Sequence, residues 1–371
     1  MRRAPLSVVA REWGRIGLTS FGGPPAQVAM LRELCVDRRG WIDAHEFEHA
    51  NAATQLLPGP GGTQLAIYCA RRVGGDLGAL LGGLAFIAPG LVLVLAISAV
   101  ALGESPPLWA RAVGAGAAAA VVAVVVQAGL ALGRTSVAGR GVRAFAYLLA
   151  GAAATVAVGA GVVLVIVACG LVELAWRRRG PAALAVSPIP VLLAVATIPA
   201  LAWTALKVGA LSYGGGFVII PLMQGDAVDT YGWMTDAEFA NAVAYGQLTP
   251  GPVVHTVAMV GWAAAGFGGA MLAATLGFAP SFLMVYLFGQ RFVALRESAS
   301  ARAFLDGAGP AAVGAILGAA VPLIEALEEW WQFAILGIAA ATLLVRLPAF
   351  WVLAGGAGAG LLAAAVGLAV P

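Results

Sequence analysis

His45-Glu46-Phe47-Glu48-His49 is a stretch whose residue types and spacing match a catalytic pattern. In H-E-x-x-H, two histidines one helical turn apart hold zinc and the glutamate activates water. In a chain this apolar, such a site would mean an intramembrane zinc protease. The same chain tests that reading 192 residues further on, where Thr235-Asp236-Ala237-Glu238-Phe239-Ala240-Asn241 aligns and keeps the Glu and the Phe but neither His. Both copies keep a helix start instead. Asp43 and Thr235 stand as N-caps with Glu46 and Glu238 three residues on, and Ile42 with Phe47, or Met234 with Phe239, supplies the hydrophobic staple. Glu46 is expected to serve a cap, and His255 has no partner at metal-ligand spacing. No metal, cofactor or enzymatic activity is expected, and the protease is kept as a remote alternative.

Other features repeat at the same spacing. Ser20-Phe21-Gly22-Gly23-Pro24 returns as Ser212-Tyr213-Gly214-Gly215-Gly216, Gly40-Trp41 as Gly232-Trp233, and Leu57-Pro58-Gly59-Pro60 as Thr249-Pro250-Gly251-Pro252. Proline donates no backbone hydrogen bond and paired glycines favour no helix, so each motif ends one helix and starts another. Inside a membrane the freed N–H and C=O groups must face protein or a water-filled cavity. Helices starting at Pro24, Pro60 and Pro252 would aim N–H groups and partial positive charge into that cavity, which suits an anion. The plainer reading is a set of surface turns, but two oppositely oriented copies have little reason to share one turn sequence. Arg15 aligns with Lys207, the chain's only lysine, as a pair of candidate counter-charges; the alternative is that both snorkel to an interface. Gln55 aligns with Gln247, three residues before each Pro-Gly-Pro, either to donate into the cavity or to cross-link helices.

The elements that carry these motifs follow from composition. With 371 residues, 61% hydrophobic and 11% charged, the chain has more apolar surface than a soluble interior could bury. An all-α polytopic membrane protein is expected, with spans such as Leu77 to Leu102, Ala112 to Leu132, Phe145 to Trp176, Ala270 to Gly289 and Pro348 to Val370. Residues 1–176 form a first repeat, 177–187 a basic and Pro-rich linker, and 188–371 a second repeat. Basic loops at Asp37 to Arg39, Arg71-Arg72 and Arg134 to Arg143 have matching segments at Asp226 to Tyr231, Ala263 to Gly268 and Glu325 to Glu329 without a basic residue, while Arg291 to Arg302 reverses the pattern. The two halves therefore read as inverted-topology repeats with the N-terminus inside and the C-terminus outside. Arg11, Glu12 and Arg15 interrupt the first apolar run, so no cleaved signal is expected. Cys35, Cys69 and Cys169 lack metal or redox spacing. The net charge of +3 sits in loops rather than in a nucleic-acid patch.

Phe21-Gly22-Gly23-Pro24, Leu57-Pro58-Gly59-Pro60-Gly61 with Gln64, and their second-half counterparts resemble the chromate ion transporter family in its long, two-domain form. The second half departs from the motifs with Gly216 for Pro24 and Thr249 for Leu57. The resemblance implies a multi-pass carrier of a bacterial-type inner membrane that exports chromate, is driven by protons and confers chromate resistance; homo-oligomerisation is left open. Its motifs would place the substrate at Phe21, Gly22, Gly23, Pro24, Pro58, Gly59, Pro60, Gln64, Tyr213, Gly214, Gly215, Pro250, Gly251 and Pro252, beside Arg15, Gln55, Lys207 and Gln247. Sulfate, a tetrahedral dianion of similar size, is an alternative substrate. A cation or proton antiporter is another, with Glu33 and Glu173 as its candidate carboxylates.

Overall fold

The computed structural model describes residues 4–54, 59–103, 105–137, 140–178, 196–212, 217–289 and 298–371, and every regular element among them is helical. Gln55 and Pro58, Tyr213 to Gly216, and the linker from Arg179 onward lie outside the described residues. The first repeat runs through α1 (Leu6–Thr19), α2 (Pro24–Arg32) with a π turn (Glu33–Arg38), α3 (Ala44–Thr54), α4 (Gly61–Ala101), α5 (Leu108–Val137), α6 (Gly141–Val158) and α7 (Val162–Arg178). The second runs through α8 (Thr197–Leu211), α9 (Ile219–Gln224) with a π turn (Gly225–Thr230), α10 (Asp236–Leu248), and a 3-10 turn (Val253–His255) leading into α11 (Thr256–Phe288). It ends with α12 (Ala299–Gly318), α13 (Ala320–Glu325), α14 (Trp330–Leu344) and α15 (Ala349–Ala365). Both π turns and both Pro-Gly-Pro breaks recur at the spacing of the sequence repeat.

Helices α4 and α11 are each two antiparallel arms. Gly75, at φ 73° and ψ −163°, turns the first so sharply that a Cβ on Gly78 would lie 2.7 Å from the Ala70 carbonyl. Gly266, at φ 61°, does the same for the second, bringing the backbones of Gly261 and Gly269 together. These are left-handed conformations that glycine adopts without a Cβ clash.

Two re-entrant hairpins start beside the Gly75 tip. In the first, the Ala4 N–H donates to the Val73 carbonyl, α1 runs along the second arm of α4 as far as Gly17 against the Phe86 backbone, and α2 returns. Arg38 and Arg39 then each reach Glu12 at 2.9 Å, and Trp41 stacks on Trp13. In the second, α3 runs inward from Glu46, which Arg72 and Tyr68 hold, and the first arm of α4 runs back to the tip. Neither α3 nor that arm is long enough to cross alone, since a ~30 Å core needs about 20 helical residues. The second arm of α4 does cross. Ile87 and Gly90, which touch the Pro250 to His255 break, lie roughly 18–23 Å along it from the tip, so the breaks sit near mid-membrane.

The halves are inverted. Helices α5 and α12 hold equivalent places in the repeats yet run antiparallel, with Gly129 against Leu317 and Gly133 against Val313. The start of α12 meets the start of α6 and the end of α7, through Asp306 with Arg140 at 3.1 Å and Arg177 at 2.8 Å. The start of α5 lies at the other end, where Arg111 donates to the carbonyls of Val370 and Pro371. Tyr286, near the end of α11, donates to the Asp76 carbonyl at the Gly75 tip, one short link before α12. Arg38, Arg39, Arg71, Arg72, Arg140, Arg143, Arg177 and Arg302 thus share the face that the positive-inside rule assigns to the cytoplasm.

Two sequence expectations change, that for Phe145 to Trp176 and that for Pro348 to Val370, whose helix α15 (Ala349–Ala365) is shorter than the segments that can cross. Phe145 to Trp176 is a hairpin turned at Gly159 to Gly161, with Tyr147 donating to Glu173, rather than one span. Among the described residues five helical segments are long and apolar enough to cross: Gly61–Ala101, Leu108–Arg134, Gly141–Val158, Val253–Leu287 and Ala299–Glu325. The repeats also exchange helices, α5 packing on α14 and α15 while α12 packs on α6 and α7. Glycine allows that close approach: a Cβ on Gly116 would lie 2.2 Å from the Gly356 carbonyl, and one on Gly151 would lie 1.9 Å from that of Ala311.

The topology predicts opposite labelling of the two hairpin tips. In a background without Cys35, Cys69 and Cys169, Asp76→Cys should react with an impermeant maleimide only from the cytoplasmic side and Phe267→Cys only from the other. Labelling of both from one side would contradict the inversion.

Candidate functional site

The first described break begins with Gly22 and Gly23 at φ 97° and 73°, after which Pro24 opens α2. Gly59 (φ 118°) and Pro60 precede α4, and Gly251 (φ 92°) and Pro252 precede the 3-10 turn that begins at Val253 and leads into α11. The inverted repeat brings these three helix starts together. Pro24, Gln27, Pro60, Gly61, Gly62, Thr63, Pro252, Val253 and Val254 line one space of about 10 Å³, room for about one water. The first N–H groups of a helix have no partner within it. Those of α4 and of the α11 segment meet here from opposite sides.

The backbone of the breaks is held by a few bonds across the repeats. Gln27 Nε2 donates to the Gly251 carbonyl at 2.8 Å, and the Gly251 N–H donates to the Ser20 carbonyl at 3.2 Å. Gln27 can pass only because Gly62 lacks a Cβ, which would lie 2.2 Å from its Oε1. Gly59 likewise leaves room for the Gln64 amide. Several buried polar atoms around the breaks have no hydrogen-bond partner: the Ser20, Thr63 and Ser212 hydroxyls, His255 Nδ1 and Gln247 Nε2. Thr63 and His255 occupy equivalent positions of the two repeats.

The two repeated cations are both matched. Lys207 is buried and lies 2.6 Å from Asp226, whose carboxylate also accepts from Thr204 at 2.6 Å. Arg15 is largely exposed, 3.9 Å from Glu12. Neither therefore stands as a free counter-charge at the break: Lys207 is held by Asp226 and Arg15 lies toward the surface, beside Glu12. Asp226, within the segment Asp226 to Tyr231 that reads as a loop by sequence, lies in the second π turn, buried. Phe21 is exposed and packs against Phe350 of α15.

The carboxylates proposed for cation exchange are placed elsewhere. Glu33 is exposed. Glu173 is buried but bound by Arg177 at 2.9 Å and Arg143 at 3.5 Å, in the arginine cluster that also holds Asp306. In the H-E-x-x-H stretch, Asp43 caps α3 through the His45 N–H, but Glu46 does not reach back to the cap. Its carboxylate is bound by Arg72 and Tyr68, and the Arg72 hydrogen bond, working against partial burial, holds it below the usual carboxylate range. The reciprocal capping box forms at Thr235 and Glu238 alone of the two copies. Gln27, Thr63 and Asp226 were missed because their repeat partners are Ile219, His255 and Leu34, so identity matching gave no signal.

Comparison with known proteins bears on this geometry. The profile of the family described as chromate transporter matches residues 8–174 and 199–361. A chromate transport protein of Cupriavidus metallidurans is 32% identical over 326 residues, 84% of this chain and 80% of that protein. One of Pseudomonas aeruginosa is 33% identical over 341 residues, 85% of this chain and 80% of that protein. A probable chromate transport protein of Synechococcus elongatus is 32% identical, with 83% of this chain and 82% of that protein covered. No solved structure matches significantly.

The Lys207 pair yields a prediction. Lys207→Ala leaves the Asp226 carboxylate buried and unpaired, at about 3–5 kcal/mol, whereas Lys207→Met with Asp226→Leu removes both charges at little cost. Thermal melting in detergent should fall sharply for the single variant and recover in the double.

Proposed function

Because the chain belongs to the chromate transporter family, we propose that it carries chromate outward across a bacterial-type inner membrane, driven by the proton-motive force, and so confers chromate resistance. The observation that carries this reading is the meeting of helix starts at Pro24, Gly61 and Val253 around one space near mid-membrane. Each helix N-terminus amounts to roughly half a positive charge, and several pointing at one another repel unless an anion lies between them. Free amides of Gly61 to Thr63 and of Val253 and Val254 would hold the oxygens, with Gly22, Gly23, Gly59, Gln64, Pro250, Gly251 and Pro252 shaping the turns. Positioned amides suit a tetrahedral dianion without telling chromate from sulfate, so sulfate is expected to compete.

A space for one water does not admit an oxyanion of five heavy atoms. The breaks must part for the ion to enter, which fits re-entrant hairpins arranged as inverted copies around a fixed centre. The electrical part of the driving force favours export: moving each negative charge out is worth about 2.3 kcal/mol per 100 mV.

Everted vesicles containing the protein should accumulate chromate, less so with excess sulfate, and an uncoupler should abolish uptake. Uptake equal to that of vesicles lacking the protein would overturn the proposal. Gln27→Leu, which removes the bond to the Gly251 carbonyl, should lower uptake at least tenfold while leaving the protein in the membrane.

A further inference from the structure

His255 is the one titratable side chain built into the breaks among the described residues, and no role is yet attached to it. It is fully buried, at 0% exposure. Nε2 lies 3.0 Å from the Ile87 carbonyl and donates to it, which leaves the Nδ1 lone pair as the open position. Nδ1 has no partner. The ring edge carrying it lies against Gly90 and Gly251: a Cβ on Gly90 would be 2.8 Å from Nδ1 and 2.4 Å from the Pro250 carbonyl. Phe278 meets the ring edge-on at 5.2 Å. The second arm of α4 thus presents a carbonyl and a glycine, the break presents glycine and carbonyls, and the second arm of α11 presents a phenyl ring. None of these is titratable or charged.

We propose that His255 takes up a proton at Nδ1 together with the oxyanion, and so supplies the positive charge that Lys207 and Arg15 do not. This rests on the reading of the breaks as the oxyanion site. Histidine is the side chain whose charge ordinarily changes near neutral pH. Without an anion, a proton on His255 would put an uncompensated charge in a buried, uncharged setting. With a dianion held by the Val253 and Val254 amides, two residues and one residue before His255 in the chain, that charge is balanced. The two bindings therefore favour each other, by the same factor in each direction, and a dianion leaving with one proton still carries one net negative charge outward, the direction in which the electrical part of the driving force acts. Thr63 holds the equivalent place in the other repeat and cannot titrate, so the two inverted halves differ in the single group that links proton and anion.

The test compares full-length wild type with His255→Gln and His255→Thr in nanodiscs, measuring chromate binding by equilibrium dialysis from about pH 6 to about 8. Chromate itself gains a proton in this range, but equally for all samples, so the ratio of dissociation constants is the readout. Wild type should gain on each variant as pH falls, by up to about tenfold per pH unit, the limit for one linked proton. The two should converge at high pH. A ratio that stays constant with pH, for either variant melting at the wild-type temperature, overturns the role of His255 while leaving the transport reading intact. If wild type binds no chromate at any pH, the oxyanion site fails and this inference fails with it.

Discussion

Two helices that start head to head inside a membrane set the terms for the rest of this structure. The N-termini of α4 and of the segment leading into α11 approach from opposite faces and end at the same small space, lined by Gly61 to Thr63 and Val253 to Val254. In lipid those free N–H groups would be costly, so they must be enclosed by protein and water. Enclosing them requires the α1–α2 hairpin and its counterpart to close the sides, and long crossing arms of α4 and α11 to bring the breaks to mid-depth. It also requires glycine at 59, 62, 90 and 251, where a Cβ would strike a neighbour or the backbone is left-handed.

The charged side chains of the two hairpins are paired away from that space, whose lining carries no charge. Asp226 answers Lys207, and Arg38 and Arg39 answer Glu12. These pairs sit at related places in the two hairpins but with the carboxylate on the π turn in one and on the leading helix in the other. Charge in each hairpin is therefore matched locally. What is left unmatched at the centre is backbone N–H, a few hydroxyls and one imidazole nitrogen.

Much of this was legible in the sequence because the repeat is in register: both breaks, both Gly-Trp turns and the inverted orientation followed from spacing and from where arginines fall. What was not legible depended on contacts between positions that the repeat does not pair. Hydropathy reads Phe145 to Trp176 as one run, since the turn at Gly159 to Gly161 interrupts neither apolarity nor length. Lys207 looked unpaired because its partner lies 19 residues on, in a π turn that periodicity does not distinguish from a loop. Thr63 and His255 align but differ in type, and their common position emerges once both helices are seen to start at the same space.

The account places an oxyanion between the facing starts of α4 and α11. Anomalous diffraction at the chromium edge, from crystals of the full chain grown with chromate, locates the metal directly. The account predicts one chromium centre within hydrogen-bonding range, through its oxygens, of the amides from Gly61 to Thr63 and of Val253 and Val254, with the breaks moved apart. Chromium found only at the cytoplasmic arginine cluster around Arg177 and Arg302, with the breaks still closed, would contradict it.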